Sequence, residues 1–284
     1  MNFGKFAVMG GDTRFRLLVE TLNDDRQDAC GFFLAEEESL PLSALQQANC
    51  VVLPLPISKD GLHLHAPFTK EAISLDSIFS ACHPSQVICG GIVSEEVKNL
   101  AQKHKLNIVD YYSQESFILP GALATAEGAI ALSISHSSTI LQGQSALLLG
   151  FGRISKILAQ KLSLLGVHVS IAARKEMDLD WAKTLGYHSF PMSHLDEHIH
   201  KFDLLFNTVP APILDFCNLV FLKPSAVYIE LASKPYGIDF KSAENLGVHV
   251  ILAEGLPGKV APHSMALALQ YTIYSLLKNL EVTT

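Results

Sequence analysis

The feature that most constrains this chain is the stretch from Ser145 to Glu176, SALLLGFGRISKILAQKLSLLGVHVSIAARKE. An apolar run stops at Gly150 and Gly152. It gives way to ISKILAQKLSLLG, whose apolar residues recur every third or fourth position, and then a β-branched run, VHVSIAA, begins. That order is strand, glycine turn, amphipathic helix, strand, which builds a parallel pair with a crossover helix. Glycines at such a turn let the backbone approach a pyrophosphate at the helix N-terminus, and Ser155 at the third position of the pattern is small enough for close helix packing.

The same alternation fills the rest of the chain. KFAVMG, TRFRLLVETL, NCVVLPLP, LDSIFSAC, SQVICGG, SEEVKNLAQKHK and LNIVD precede residue 120, and SALLLG, VHVSIAA, FDLLFNTVP, AVYIELA and VHVILAEGLP follow it. The expected fold class is α/β, with two doubly wound parallel-sheet, Rossmann-like domains. The first spans 1–120 and the second, carrying the glycine turn, spans 121–262. Between them LPGALATAEGAIALSISHSSTILQ, Leu119 to Gln142, reads as a buried interdomain helix. HSMALALQYTIYSLLKNL, in 263–280, reads as a helix returning to the first domain.

An apolar content of 49% with 17% charged residues requires a folded chain. The net charge is −7, with 9 basic and 15 acidic residues up to Pro120, which argues against a nucleic-acid partner. No apolar run reaches the roughly 18 residues of a membrane span, and the start MNFGKFAVMGGD lacks a signal-peptide layout, so the expected compartment is the cytoplasm. Five cysteines without a CxxC pair read as buried thiols, and the histidines (His63 with His65; His194, His198 and His200) form no convincing zinc pattern, so no metal is expected.

Where an NAD site places a carboxylate, roughly 20 residues beyond the turn, this chain has Ala172, Ala173, Arg174 and Lys175. A carboxylate there would repel the 2′-phosphate of NADP, and Arg174 and Lys175 neutralise it; the other reading is a solvated basic pair. NADP is therefore the expected cofactor. Its site is expected to comprise Gly150, Phe151, Gly152, Arg153 and Ile154 at the turn and Ala173, Arg174 and Lys175 after the next strand. Thr208, Val209, Pro210, Leu231 and Ala232 complete it at later strand ends, where ligands bind in open α/β sheets.

ELASKPYGID adds Ser233, as a substrate contact, and Lys234, which is either a point charge or proton donor or else a surface lysine. In the first domain Gly10, Gly11, Asp12 and Arg14 form a turn at a helix N-terminus, either a wall that holds a substrate carboxylate or a tight turn capped by Asp12. Glu127 is the lone acid of the interdomain helix, reactive or merely solvated. EGLPGKVAPHSMA carries Pro257, Gly258, Lys259, His263 and Ser264; His263 is either a general acid or base or an ordinary helix-start histidine.

These motifs together resemble the family of dipicolinate synthase A subunits. The resemblance lies in VMGGDTR, LPGALATAEGAIAL, GFGRISKILAQKLSLLGVHVSIAAR, NTVPAPIL, ELASKPYGIDF and EGLPGKVAPHS, and covers most of the chain. It implies NADP-dependent oxidation of a dihydro or hydroxytetrahydro derivative of dipicolinate from the lysine pathway, in the mother cell of a sporulating bacterium. It also implies a partner, a flavoprotein-like B subunit, and leaves a homo-oligomer open. Lys234, His263 and Glu127 become the catalytic candidates. Gly10, Gly11, Asp12, Arg14, Thr125, Ser233, Pro257, Gly258 and Ser264 become the substrate-binding ones. One departure is His263, where the family pattern APKTAG leads us to expect Lys. The alternatives are another two-domain NADP oxidoreductase, of shikimate or 2-hydroxyacid type, or a non-catalytic cofactor-binding regulatory subunit. The 2-hydroxyacid type needs an Arg, Glu and His set that the second domain does not offer.

Overall fold

A computed structural model describes residues 3–36 and 40–283, and divides the chain into two compact units, residues 1–121 with 261–284 and residues 122–260. In the first unit β1 (Lys5–Met9), α1 (Thr13–Asp24), β2 (Asp28–Phe32), β3 (Cys50–Val52), α2 (Leu75–Ala81), β4 (Val87–Gly90), α3 (Glu95–Lys103) and β5 (Ile108–Asp110) follow in order. The sheet is parallel, ordered β2-β1-β3-β4-β5. Strands buried on both faces must be apolar throughout, as KFAVM and VICG nearly are. β2, DACGF, has no such signature because it lies at the sheet edge, opens with Asp28 and contains Gly31.

The helix α4 (Glu115–His136) runs across the boundary between the units. It starts four residues before the expected Leu119 and stops before Gln142. Nor is it buried throughout: Leu119, Leu123 and Ile134 are exposed, while Ala126 and Ala129 enter the core of the second unit. Its 22 residues are long and apolar enough to cross a membrane by length and composition, contrary to the sequence expectation, since Pro120 and Glu127 interrupt the apolar run without ending the helix.

The second unit holds β6 (Ser145–Leu149), α5 (Arg153–Leu164), β7 (His168–Ala173), α6 (Glu176–Thr184), β8 (His188–Pro191), α7 (Leu195–His198), β9 (Leu204–Asn207), α8 (Phe216–Leu219), β10 (Val227–Glu230), α9 (Phe240–Asn245), β11 (His249–Leu252) and α10 (Leu256–Val260). Its parallel sheet is ordered β11-β10-β9-β6-β7-β8. Leu148, Ile171, Phe206 and Ile229 pack on one face with Leu158 and Leu162 of α5. Leu147, Leu149, Leu205 and Tyr228 pack on the other with Leu195, Leu219 and Ala243. β8, HSFP, is absent from the sequence expectation because it is a short edge strand ending in Pro191, a residue that sheets accept at edges. The last helix, α11 (Pro262–Thr283), packs on α1 within the first unit, where Tyr274 donates a hydrogen bond to Asp25 at 2.9 Å.

One buried polar cluster shapes the carboxyl edge of the second sheet. Glu230, with no exposed surface, ends β10 and accepts four hydrogen bonds. Its Oε1 takes Asn207 Nδ2 at 2.7 Å and the Ala232 amide at 3.0 Å, and its Oε2 takes Tyr228 OH at 2.9 Å and the Gly237 amide at 2.8 Å. Asn207, at the end of β9, also holds both backbone groups of Val209, at 2.9 and 3.0 Å. Two loops are thereby fixed by one carboxyl group. Each buried donor left without a partner costs roughly 1–3 kcal/mol, so Glu230→Ala should destabilise the second unit by about 3–5 kcal/mol and lower its Tm by about 10 °C. Tyr228→Phe, which removes one donor and orphans none, should cost about 1 kcal/mol. Calorimetric melts of both variants check this, and a smaller loss in Glu230→Ala than in Tyr228→Phe would overturn it.

Candidate functional site

In each sheet the strand order reverses between two neighbours, β1 and β3 in the first and β6 and β9 in the second. The helices that follow these strands diverge there and leave a crevice at the carboxyl edge, where ligands of open α/β sheets bind. Both glycine turns sit at these places.

In the second unit Gly150 has φ +88°, and a Cβ on it would stand 2.7 Å from Val209 Cγ2 and 3.0 Å from Thr208 Oγ1. Only glycine fits, in conformation and in space. At Gly152, the N-cap of α5, a Cβ would meet nothing within 4 Å, so this side of the turn is open. No side chain caps α5 and no acid lies in its first turn, which leaves amides and a positive dipole end for a phosphate. Ser155 is fully buried and hydrogen-bonds Thr208 Oγ1 at 2.9 Å, and Thr208 in turn donates to the Leu149 carbonyl at 2.9 Å.

Several of the residues expected at the cofactor therefore have only their backbone to offer a ligand. The Thr208 hydroxyl is committed to holding the turn, and the Phe151 side chain is buried in the core against Tyr187. Ala173 and Ala232 are buried too. Ile154, Val209 and Leu231 are half-buried, and Arg153 and Pro210 are exposed.

Arg174 and Lys175 follow β7 on the surface, and among the described residues neither forms an ion pair. Arg174 lines a cavity of about 460 Å³ with Met192, Ser193, Val209 and Pro212 at the ends of β7, β8 and β9. Asp196 also borders it, hydrogen-bonded to Asn218. An unpaired guanidinium at the wall of such a cavity suits an anionic group. Lys175 serves as the N-cap residue of α6.

Ser233 and Lys234 are exposed on the loop after β10 that Glu230 anchors, next to a cis Lys234–Pro235 peptide. In that loop Tyr236 donates to Glu254, and this hydrogen bond raises the phenol above its ordinary range. Glu127 is not drawn into this edge. Its side chain is 56% exposed and pairs with Lys161 of α5 at 2.9 Å, an ordinary surface ion pair. Thr125 is buried in α4. Pro257 and Gly258 lie in the short helix α10, whereas His263 and Ser264 belong to the first unit, exposed in the first turn of α11.

In the first unit Gly11, with φ +87°, follows β1, and a Cβ there would lie 2.3 Å from the Phe15 ring. Gly10 donates to the Phe32 carbonyl at 2.8 Å. Asp12 is the N-cap of α1, accepting from the Arg14 amide at 3.1 Å. The same carboxylate takes Arg14 Nε at 2.8 Å and Nη2 at 2.7 Å. Burial alone would raise the Asp12 carboxyl, but the hydrogen bonds and charge of Arg14 outweigh it and hold the group below the usual range. Arg14 is only 12% exposed, and its Nη1 has no partner among the described residues. Asp12 thus caps the helix and orients Arg14, rather than meeting an anion itself.

Sequence reasoning misses His65 here, because HLH carries no signal beyond a metal-like spacing. The His65 carbonyl accepts from the Gly11 amide at 2.8 Å, which seats it beside the Asp12–Arg14 pair although 51 to 53 residues separate them in sequence. Burial first, and then the charges of Lys59 and Arg14, lower the imidazole pKa, against the opposing pull of Asp12.

Comparison with known proteins agrees with this architecture. The family model for the N-terminal domain of the dipicolinate synthase A subunit matches residues 5–112. The A subunit of dipicolinate synthase from Bacillus subtilis (strain 168) is 29% identical over 98% of this chain and 97% of its own length. The crystal structure of that enzyme's A subunit from Bacillus subtilis superposes with a TM-score of 0.88 at 27% identity, covering 100% of this chain and 99% of that one. A transhydrogenase from Sinorhizobium meliloti shares the fold, with a TM-score of 0.70 at 15% identity over 96% of this chain and 94% of that one. With one sheet carrying a dinucleotide-type turn, the chain is similar along its whole length to the dipicolinate synthase A subunit, and its residues 5–112 match the model of that subunit's N-terminal domain.

Proposed function

We propose that this chain is the NADP-binding subunit of a dipicolinate synthase, acting in the cytoplasm of a sporulating bacterium together with a B subunit. Its reaction is the oxidation of a dihydro or hydroxytetrahydro derivative of dipicolinate to pyridine-2,6-dicarboxylate. When bound there, a nicotinamide would supply the two-electron acceptor for the hydride, the substrate ring also losing a proton and, in the hydroxytetrahydro case, a molecule of water.

The observation that carries this reading is the open turn at Gly150 and Gly152 ahead of an uncapped α5, with unpaired Arg174 on the adjoining cavity. Amides at a helix N-terminus suit a pyrophosphate, and a guanidinium with no carboxylate on the same strand end suits a 2′-phosphate. The Glu230 cluster holds Thr208 to Pro210 and Ala232 to Lys234 at the carboxyl edge, the side of such sheets that takes the nicotinamide half. Lys234 is an exposed cation there, available to a substrate carboxylate or as a proton donor. In the first unit Arg14, held from behind by Asp12, keeps Nη1 for a second acceptor. A dicarboxylic substrate needs such partners once it leaves water.

Calorimetric titration should show NADP binding at least about tenfold more tightly than NAD, a difference of about 1.4 kcal/mol. Arg174→Asp should abolish or reverse the preference; equal affinities in the wild type, or an unchanged ratio in the variant, would sink it. Arg14→Ala or Lys234→Ala should weaken dipicolinate binding about tenfold or more while leaving NADP binding nearly unchanged, and dipicolinate binding intact in both would remove the carboxylate assignment. The chain alone should form little dipicolinate, followed by its ultraviolet absorbance, and the B subunit should raise turnover strongly by completing the site or excluding water. Full turnover without the B subunit would show that one chain holds the whole catalytic set.

A further inference from the structure

We propose that His65 is the second cationic ligand of the carboxylate held at Arg14, and that it takes up a proton when that carboxylate binds. This rests on the reading of the first unit as a carboxylate-holding site, and adds a residue that neither the motifs nor the comparisons assign.

The position of His65 is fixed from both sides. Its amide donates to the Ile57 carbonyl at 2.8 Å and its carbonyl accepts from Gly11 at 2.8 Å, so the backbone is tied to the connection after β3 and to the glycine turn at once. The neighbouring Leu64 packs against Gly10, and three residues on Phe68 lies under the Arg16 guanidinium of α1 at 3.4 Å from its ring centroid. The segment is laid along the first turn of α1, at the crevice where β1 and β3 part.

The charges facing His65 are Asp12 and Arg14 from the start of α1 and Lys59 from the connection after β3. Asp12 and Arg14 form a bidentate pair and largely cancel, and Lys59 is exposed and screened by water. An arriving carboxylate therefore brings a negative charge that the free protein does not balance. The half-buried imidazole, whose burial lowers its pKa and so favours the neutral form in the free protein, is the group that can restore the balance by binding a proton.

Proton linkage makes this measurable without turnover. Dipicolinate is titrated into the full chain at pH 7 in buffers of low and high ionisation enthalpy, and the slope of observed heat against buffer enthalpy counts the protons exchanged. The wild type should take up at least about half a proton per dipicolinate, and its affinity should rise about tenfold or more between pH 8 and pH 6. In His65→Gln both the uptake and the pH dependence should vanish. No uptake by the wild type, a pH-independent affinity, or unchanged uptake in His65→Gln would each overturn the assignment. Arg14→Ala separates the two levels. If it weakens binding at every pH while uptake is independent of His65, this inference alone fails; if the wild type binds no dipicolinate, or Arg14→Ala binds it as well as the wild type, the carboxylate reading fails with it.

Discussion

The arrangement of the second unit depends on satisfying one buried carboxyl group. Glu230 ends a strand on which every residue is buried, so its oxygens must find donors inside the protein. They find two backbone amides from the loop that β10 opens, one phenol from the same strand, and one carboxamide from β9. Because Asn207 also binds both backbone groups of Val209, the loop after β9 is set by the same cluster. Val209 and Thr208 then crowd Gly150, and the glycine turn is shaped from behind. The glycine turn thus inherits its form from a buried polar cluster behind it.

The first unit solves a similar problem with a different device. Its turn after β1 is closed by the Asp12 cap, and the same carboxylate fixes the direction of Arg14. A bidentate pair fixes a guanidinium in its plane, so an anion meeting Nη1 meets a donor whose rotamer is already ordered. The pairing also removes most of the net charge beside the His65 imidazole.

Much of this is legible in the sequence, and the exceptions share a cause. Apolar strands buried on both faces, such as SALLL and VHVSIAA, announce themselves, and so do the glycine turns. Strands β2 and β8 do not: DACGF carries Asp28 and Gly31 and HSFP ends in Pro191, composition that an edge strand tolerates, whereas the edge strands β5 and β11 keep the β-branched runs that mark them. Arg174 and Arg14 are readable from local spacing. Glu230, Asn207 and His65 are not, because their roles come from partners on other strands: Glu230 faces Asn207 across 23 residues, and His65 meets Gly11 across a longer connection still. Glu127, which the sequence leaves as either a reactive or a solvated acid, lies on the exposed side that α4 keeps, where it pairs with Lys161.

The proposed anion sites place local donors in a chain of net charge −7. A net negative charge gives an anion no long-range attraction, so such sites must rely on local donors. In the second unit these are helix amides and exposed, unpaired Arg174, which suit a strongly hydrated phosphate at a wet rim. In the first they are a nearly buried guanidinium and a half-buried imidazole, which suit a carboxylate that gives up part of its water. Surface charges elsewhere are screened within about 10 Å at ordinary salt. On the proposed reading the acidic balance of the chain therefore matters less than a few side chains, such as Arg14, whose geometry is already fixed.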